Sequence, residues 1–302
     1  MKRFFKAIFK YLGVVGCLGL FSCLLICAYF HISVPELKVD PEVEILILGD
    51  SHPQLSISAE MLGKARNDAK SSEDYFNTYI DLCLQLPYLP NLKTVILGIS
   101  YHSFTVAEDS YPDEFPSYMS IYPHLKERKD LQRLVQEVVS PVTRREVKYS
   151  YEFGLPFKNC VAELKRKAIE LIFRGTNGGT LNAIVSRHYY NDEDEVLSRS
   201  SLQDVMLARI AAECKKRNLS LVLFNAPVTA AYLERVPPCY RQSTDSLASS
   251  YADGMTVFYL NYTNIRFPDS CYRDADHLNQ MGKDRSTLML RDTLKQMGLV
   301  TE

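Results

Sequence analysis

The sequence predicts an α/β domain of three layers, with helices on both faces of a mostly parallel central sheet. Three observations carry this expectation. Short apolar runs stop abruptly at small polar residues, as at Ile45-Leu46-Ile47-Leu48 before Gly49-Asp50-Ser51. A second run, beginning at Thr94-Val95-Ile96-Leu97, ends in a similar turn at Gly98-Ile99-Ser100. Between such runs lie stretches with apolar residues at helical spacing, the alternation of parallel strands joined by crossover helices.

Ahead of that domain, residues 1–10 carry Lys2, Arg3, Lys6 and Lys10 and no acid. Residues 11–32 then run for 22 positions without an ionised side chain. A helix needs about 20 such residues to cross a bilayer. Positive charge on the N-terminal side keeps that end in the cytoplasm and places the rest outside, in the periplasm. The expectation is a basic cytoplasmic tail (1–10), a single transmembrane signal anchor (11–32), a proline-marked linker (33–42) and a folded domain (43–302). Leu20-Phe21-Ser22-Cys23 faintly resembles a lipoprotein cleavage box, but the apolar run continues past it through Leu24 to Ala28.

The elements follow in order. A buried strand is expected at 43–49. Residues 59–70 have helical composition, and 73–86 place Phe76, Tyr79, Ile80, Leu82 and Cys83 at helical spacing until Pro87 and Pro90 close the helix. The second strand is expected at 94–100. Residues 102–200 break the alternation and read as a helical insertion. They hold a Tyr/Pro-rich loop (110–123), helical patterns at 125–139 and 160–173, and a Gly-rich turn at 174–179 that lacks the G-K-[ST] of a phosphate loop. From Ile121 to Tyr190 there are 13 Lys/Arg against 7 Asp/Glu, a locally basic stretch that reads as solvated helix faces or as a surface for an anionic partner. The acidic run Asp192–Glu195 reads as a solvated loop. Alternation resumes with a helix at 201–217 (Val205, Met206, Ile210 and Ala211 on one face), a strand at 219–224, a helix within 233–251, a strand at 256–260 and a C-terminal helix with Met281, Leu288, Leu290, Leu294 and Met297.

With 302 residues, 46% of them hydrophobic, the chain can bury a large core. A net charge of −1 gives no general bias towards nucleic acid. Five cysteines lie beyond the apolar run, with no C-x-x-C pair among them, so no zinc site is expected. Cys83 and Cys214 read as small core residues. In an oxidising compartment a disulfide can join two of Cys160, Cys239 and Cys271.

Ser51 is the candidate nucleophile, because open α/β sheets place their sites at the carboxyl ends of strands. A serine hydroxyl needs a base and an acid that orients the base. Of six histidines, His31 lies at the membrane edge, and His124 and His188 sit among polar neighbours in the insertion and read as structural. His52 follows Ser51 directly and reads as a packing or substrate-facing residue. His102, just past the second strand, can line the pocket. That leaves His277, three residues after Asp274. A D-x-x-H turn can hold a carboxylate against one ring nitrogen while the other faces a hydroxyl. Plainer readings remain: Gly49-Asp50-Ser51 as a strand-to-helix turn with a serine cap, and Asp274 with His277 as a capping pair. Asp276 can cap the last helix in either case.

Gly49-Asp50-Ser51 early and Asp274-Ala275-Asp276-His277 late resemble, in order and distance, the nucleophile block and the D-x-x-H block of the SGNH/GDSL hydrolase superfamily. The apolar N-terminus, the Gly-Asp-Ser-His form and the Asp-x-Asp-His-Leu-Asn ending are similar to membrane-anchored members related to the D-alanine transfer protein of teichoic acids and to alginate-type O-acetyltransferases. Anchored proteins of Bacteroides-like bacteria look alike in the same features. The resemblance implies Ser51 as nucleophile, His277 as base and Asp274 as its orienter. In that superfamily a glycine N–H and an asparagine help to hold the oxyanion. Here Gly98-Ile99-Ser100-Tyr101 puts Ser100 where the asparagine would stand. Loss of one oxyanion donor can cost on the order of 10²–10³ in rate. The Ser51 N–H survives that change, and Ser100 and Asn77 are candidates for the missing partner. Asn225 and His52 are further pocket candidates beside Gly98.

The function expected is a membrane-anchored, extracytoplasmic serine esterase or O-acyltransferase working on a cell-surface glycan ester. The alternative is a non-catalytic accessory protein of the same fold that holds a glycan or an acyl-carrier partner. Expected partners are a cell-surface polysaccharide or acylated small substrate, a membrane acyl-donor protein, and the membrane through the N-terminal helix. No cofactor, metal ion or nucleic acid is expected.

Overall fold

The computed structural model describes residues 40–110, 125, 128–144 and 180–300, together with Gly13. Apart from Gly13 the expected anchor at 11–32 lies outside these residues, as do the expected loop at 110–123 apart from Ser110 and the features expected at 160–173 and 174–179. Among the described residues, no helix is long and apolar enough to cross a membrane. The chain divides into two compact units. The first comprises Met1–Glu36 and Asp113–Arg174, in which the described residues include one helix, Lys129–Val138. The second comprises Leu37–Pro112 and Gly175–Glu302 and contains the whole sheet.

In the second unit the strands are β1 (Ile45–Leu48), β2 (Ala65–Asn67), β3 (Thr94–Gly98), β4 (Ser220–Asn225) and β5 (Val257–Asn261). Their order is β2-β1-β3-β4-β5, and every pairing is parallel. This is the doubly wound order whose topological switch point falls between β1 and β3. The central strands are mostly apolar because both of their faces are covered. On one face Ile45, Ile47, Ile96, Val222 and Phe224 meet Leu290 and Leu294, all buried. Full burial of each such side chain contributes roughly 1.5–3 kcal/mol.

The helices of this unit are α1 (Ser51–Ser56), α2 (Ala59–Leu62), α3 (Tyr75–Gln85), α4 (Leu181–Tyr189), α5 (Ser201–Lys216), α6 (Ala230–Arg235), α7 (Pro238–Tyr251) and α8 (Gln280–Gln296). Side-chain caps set several starts. Asp50 accepts from His52 N, Asp74 from Asn77 N, Ser200 from Gln203 N and Asn279 from Gly282 N. Asn279, not Asp276, caps the last helix.

Two local expectations differ from the structure. The helix expected at 59–70 stops after four residues at Gly63, where φ is +87°, and the chain turns into edge strand β2. β2 carries Arg66 and Asn67, so it has no apolar signature to read. Within the expected 233–251, α7 runs Pro238–Tyr251 with Pro238 at a position that tolerates a missing N–H, and a separate short helix, α6, precedes it. On α5 the buried face is Met206, Leu207, Ile210 and Cys214, while Val205 is exposed. Cys239 and Cys271 are both free thiols, so no disulfide joins this pair.

Candidate active site

Gly49 turns the chain out of β1 at φ +119°, a conformation that strains any residue with a Cβ. The turn is tight against β3. A Cβ on Gly49 would lie 3.1 Å from Gly98 N, and one on Gly98 would lie 2.5 Å from Pro53 Cγ. Two glycines thus let the Ser51 turn pack directly on the end of the neighbouring strand. Ser51 opens α1 half-buried, and Asp50 caps the helix at 2.8 Å from His52 N.

The Asp274–His277 turn arrives from the far end of the chain. Ser51 Oγ lies 2.7 Å from His277 Nε2, and His277 Nδ1 lies 2.9 Å from Asp274 Oδ1. Asp274 Oδ1 also accepts from the backbone N–H groups of His277 (2.9 Å) and Asp276 (3.2 Å), which locks the turn. The structure therefore brings Ser51, His277 and Asp274 into one line, with the hydroxyl at the accessible end.

A second carboxylate faces the same imidazole. Asp276 Oδ1 lies 3.1 Å from His277 Nδ1, and Asp276 is 1% exposed. Burial works against its charge, but the close His277 ring and the neighbouring imidazoles of His52 and His188 hold it well below the usual carboxylate range. Burial likewise works against the charge of His277, yet the bond to Asp274 and the close Asp276 carboxylate outweigh it and raise the imidazole to about 10. The two carboxylates thus favour the charged form of the imidazole whose Nε2 faces Ser51 Oγ.

Behind this line lie three more histidines. His52, expected to pack or to face substrate, is buried, with its ring 4.9 Å from that of His277. His102 is 5.0 Å from His52 and stacks on His188 at 4.2 Å and 17°. Burial lowers both His102 and His188, His188 strongly. Asp50 sits among them. Burial opposes its ionisation, but His52 and His102 hold it well below the ordinary range. Asp276, His188 and Tyr232 escaped sequence reasoning as members of this cluster. His188 Nδ1 lies 2.9 Å from Tyr232 Oη, a pairing across 44 positions that no local spacing could reveal.

The remaining candidates are placed as follows. Gly98 ends β3, and its carbonyl accepts from Tyr75 Oη at 3.1 Å. Ser100 is buried just beyond, and its N–H donates to Ser103 Oγ at 3.3 Å. Leu48 pairs with Leu97, so the turns carrying Ser51 and Ser100 are neighbours. Asn225 ends β4, buried, with its Nδ2 unpartnered. Asn77 lies in the first turn of α3, bonded to the cap residue Asp74.

No protein-family profile and no curated protein matches this chain. Among solved structures it is similar to a protein of Streptococcus pneumonia provisionally described as a platelet activating factor, at 14% identity and TM-score 0.42, over 94% of this chain and 98% of that one. It is also similar to a provisionally described acylhydrolase of Bacteroides fragilis, at 9% identity and TM-score 0.40, over 89% and 95% of the two chains.

Proposed function

We propose that this chain is a serine esterase or O-acyltransferase in which Ser51 is the nucleophile, His277 the base and Asp274 the orienter. The observation that carries the reading is the 2.7 Å contact between Ser51 Oγ and His277 Nε2, continued by the 2.9 Å contact to Asp274. Once His277 has lost the Nε2 proton, that nitrogen takes the hydroxyl proton as Ser51 Oγ attacks an ester carbonyl. The tetrahedral oxyanion is met by the Ser51 N–H, a first-turn donor outside the intrahelical ladder. Ser100 and Asn225, whose Oγ and Nδ2 are buried without a partner beyond the ends of β3 and β4, are the candidates to add to it. The imidazolium then returns its proton to the leaving alkoxide, and the acyl group stays on Ser51. Water or a sugar hydroxyl, deprotonated by the same imidazole, releases it.

The proposed substrate is an ester of a cell-surface glycan. Support comes from the basic tail and apolar run at the N-terminus, which favour an extracytoplasmic, membrane-held domain. An integral membrane acyl donor fits the transferase form of the reaction.

The test compares the wild-type chain with Ser51→Ala on a chromogenic acetyl ester and on acetylated glycan. Turnover in the wild type with loss of at least about 10³-fold in the variant is expected. Equal turnover by the two rejects the assignment and leaves the accessory-protein reading.

A further inference from the structure

Directly behind Ser51 is a cluster that the Ser51–His277–Asp274 line does not use. Asp50 and His52 come from the turn after β1, and His102 from the turn after β3. They are 7%, 4% and 7% exposed. One ligand atom from each lies within 4.8 Å of the other two. Asp50 Oδ2 is 3.1 Å from His102 Nε2, and Asp50 Oδ1 is 3.4 Å from His52 Nδ1. Both are close contacts without hydrogen-bond geometry. Asp50 Oδ2 and His52 Nδ1 are buried without a hydrogen-bond partner. A carboxylate oxygen and an imidazole nitrogen left this way are costly, and such groups call for an explanation by an ion or water.

The spacing suits an ion better than a proton. Bonds of about 2.0–2.1 Å to nitrogen and oxygen in a tetrahedral zinc site put neighbouring donors roughly 3.3 Å apart. The 3.1 Å between Asp50 Oδ2 and His102 Nε2 is close to that value, and His52 Nδ1 lies 3.4 Å from the other oxygen of the same carboxylate. Two imidazoles and a carboxylate also form a donor set that suits divalent first-row transition metals rather than Mg²⁺ or Ca²⁺.

We propose that Asp50, His52 and His102 bind a divalent transition-metal ion of the zinc class, in a buried site that ties the turn bearing Ser51 to the turn after β3. Asp50 Oδ2, His52 Nδ1 and His102 Nε2 are the ligands, with water in a fourth position. His188 is not among them, because its Nδ1 is committed to Tyr232 Oη. It instead stacks on His102 and holds the plane of that ring.

A carboxylate also stands on the far side of one ligand histidine. The second nitrogen of a ligating histidine usually faces a carboxylate that fixes the tautomer. His52 Nε2 lies 3.8 Å from Asp276 Oδ2, whose oxygens have no hydrogen-bond partner. Asp276 Oδ1 in turn lies 3.1 Å from His277 Nδ1. The ion therefore sits one ligand and one carboxylate away from the proposed base, as a support for the Ser51 turn. It touches none of the reacting atoms, and its binding does not depend on the esterase reading.

The full-length chain, purified without chelator or metal-affinity step, is assayed for bound metal by plasma mass spectrometry. It is then stripped with a chelator and titrated with Zn²⁺ against a chromogenic competitor, and with Co²⁺, whose visible bands report tetrahedral ligation. About one equivalent per chain with Kd below ~1 μM is expected. His102→Gln and His52→Gln, with folding checked by circular dichroism, should weaken binding by at least about 100-fold. Ser51→Ala should bind as the wild type does, so a failed esterase assignment leaves this result standing. Absence of uptake by the wild type at about 100 μM Zn²⁺ or Co²⁺ overturns the proposal. So does undiminished uptake by a folded His102→Gln or His52→Gln protein.

Discussion

Ser51 Oγ and His277 Nε2 lie 2.7 Å apart although 226 positions separate them in the chain. The contact exists because the switch point of the sheet leaves the carboxyl end of β1 open, and the turn before α8 drops into that opening. α8 itself packs against α1 and α2, so the same helix that buries Leu290 and Leu294 also sets the height of His277 over Ser51.

The two carboxylates on His277 should separate kinetically. His277 is raised to about 10, so the base becomes available only as pH climbs. kcat/KM for ester hydrolysis should therefore rise from pH 7 towards an alkaline plateau. Asp276→Asn removes one of the groups that raise the imidazole and should move the inflection down by about one unit or more, with the plateau largely kept. Asp274→Asn breaks the aligned Nδ1 bond and should lower the plateau itself by roughly 10²–10⁴-fold. A pH–rate profile of the three proteins checks both directions. Coincident profiles for wild type and Asp276→Asn would remove Asp276 from the account.

Gly98→Ala tests the close approach of the two turns. The new Cβ would meet Pro53 Cγ at 2.5 Å and Cδ at 2.6 Å, and a proline ring cannot swing away. α1 must shift and carry Ser51 with it. The expected cost is about 1–3 kcal/mol of stability, read by urea unfolding, and a fall in turnover of at least about tenfold.

Asp74 offers a stability test away from the site. Burial raises its carboxyl to about 7, although the Asn77 N–H bonds Oδ1, and Oδ2 is left without a partner. A folded-state pKa above the unfolded value favours the protonated native form. Its contribution is full below about pH 4 and is lost as pH rises through about 7. Asp74→Asn keeps the cap acceptor and removes the titration. The variant should gain on the wild type between pH 4 and 7 and hold an advantage of roughly 1–3 kcal/mol at pH 8, measured by chemical denaturation. A constant difference across that range would contradict this.

Much of the sheet was legible because its central strands are buried on both faces and so read as continuous apolar runs. β1, β3, β4 and β5 each fall within about two residues of the expected limits. β2 was not legible, since an edge strand of Ala65-Arg66-Asn67 has no apolar run to find. The Ser51, Asp274 and His277 positions could be picked out because each lies in a short local motif. The buried cluster behind them could not. Asp50 looked like part of a turn, His102 like a pocket-lining residue, His188 like a structural one, and Asp276 like a helix cap. Only the parallel pairing of β1 with β3, which sets their end turns side by side, brings Asp50 and His102 together.

The central claim is that Ser51 is a nucleophile activated by His277. The most direct measurement is covalent labelling of the full-length chain with a fluorophosphonate, followed by peptide mass spectrometry. A single adduct on Ser51 in the wild type, lost or slowed at least about 100-fold in His277→Ala, is the predicted result. An unlabelled Ser51 at pH 9–10, or equal labelling in His277→Ala, would contradict it.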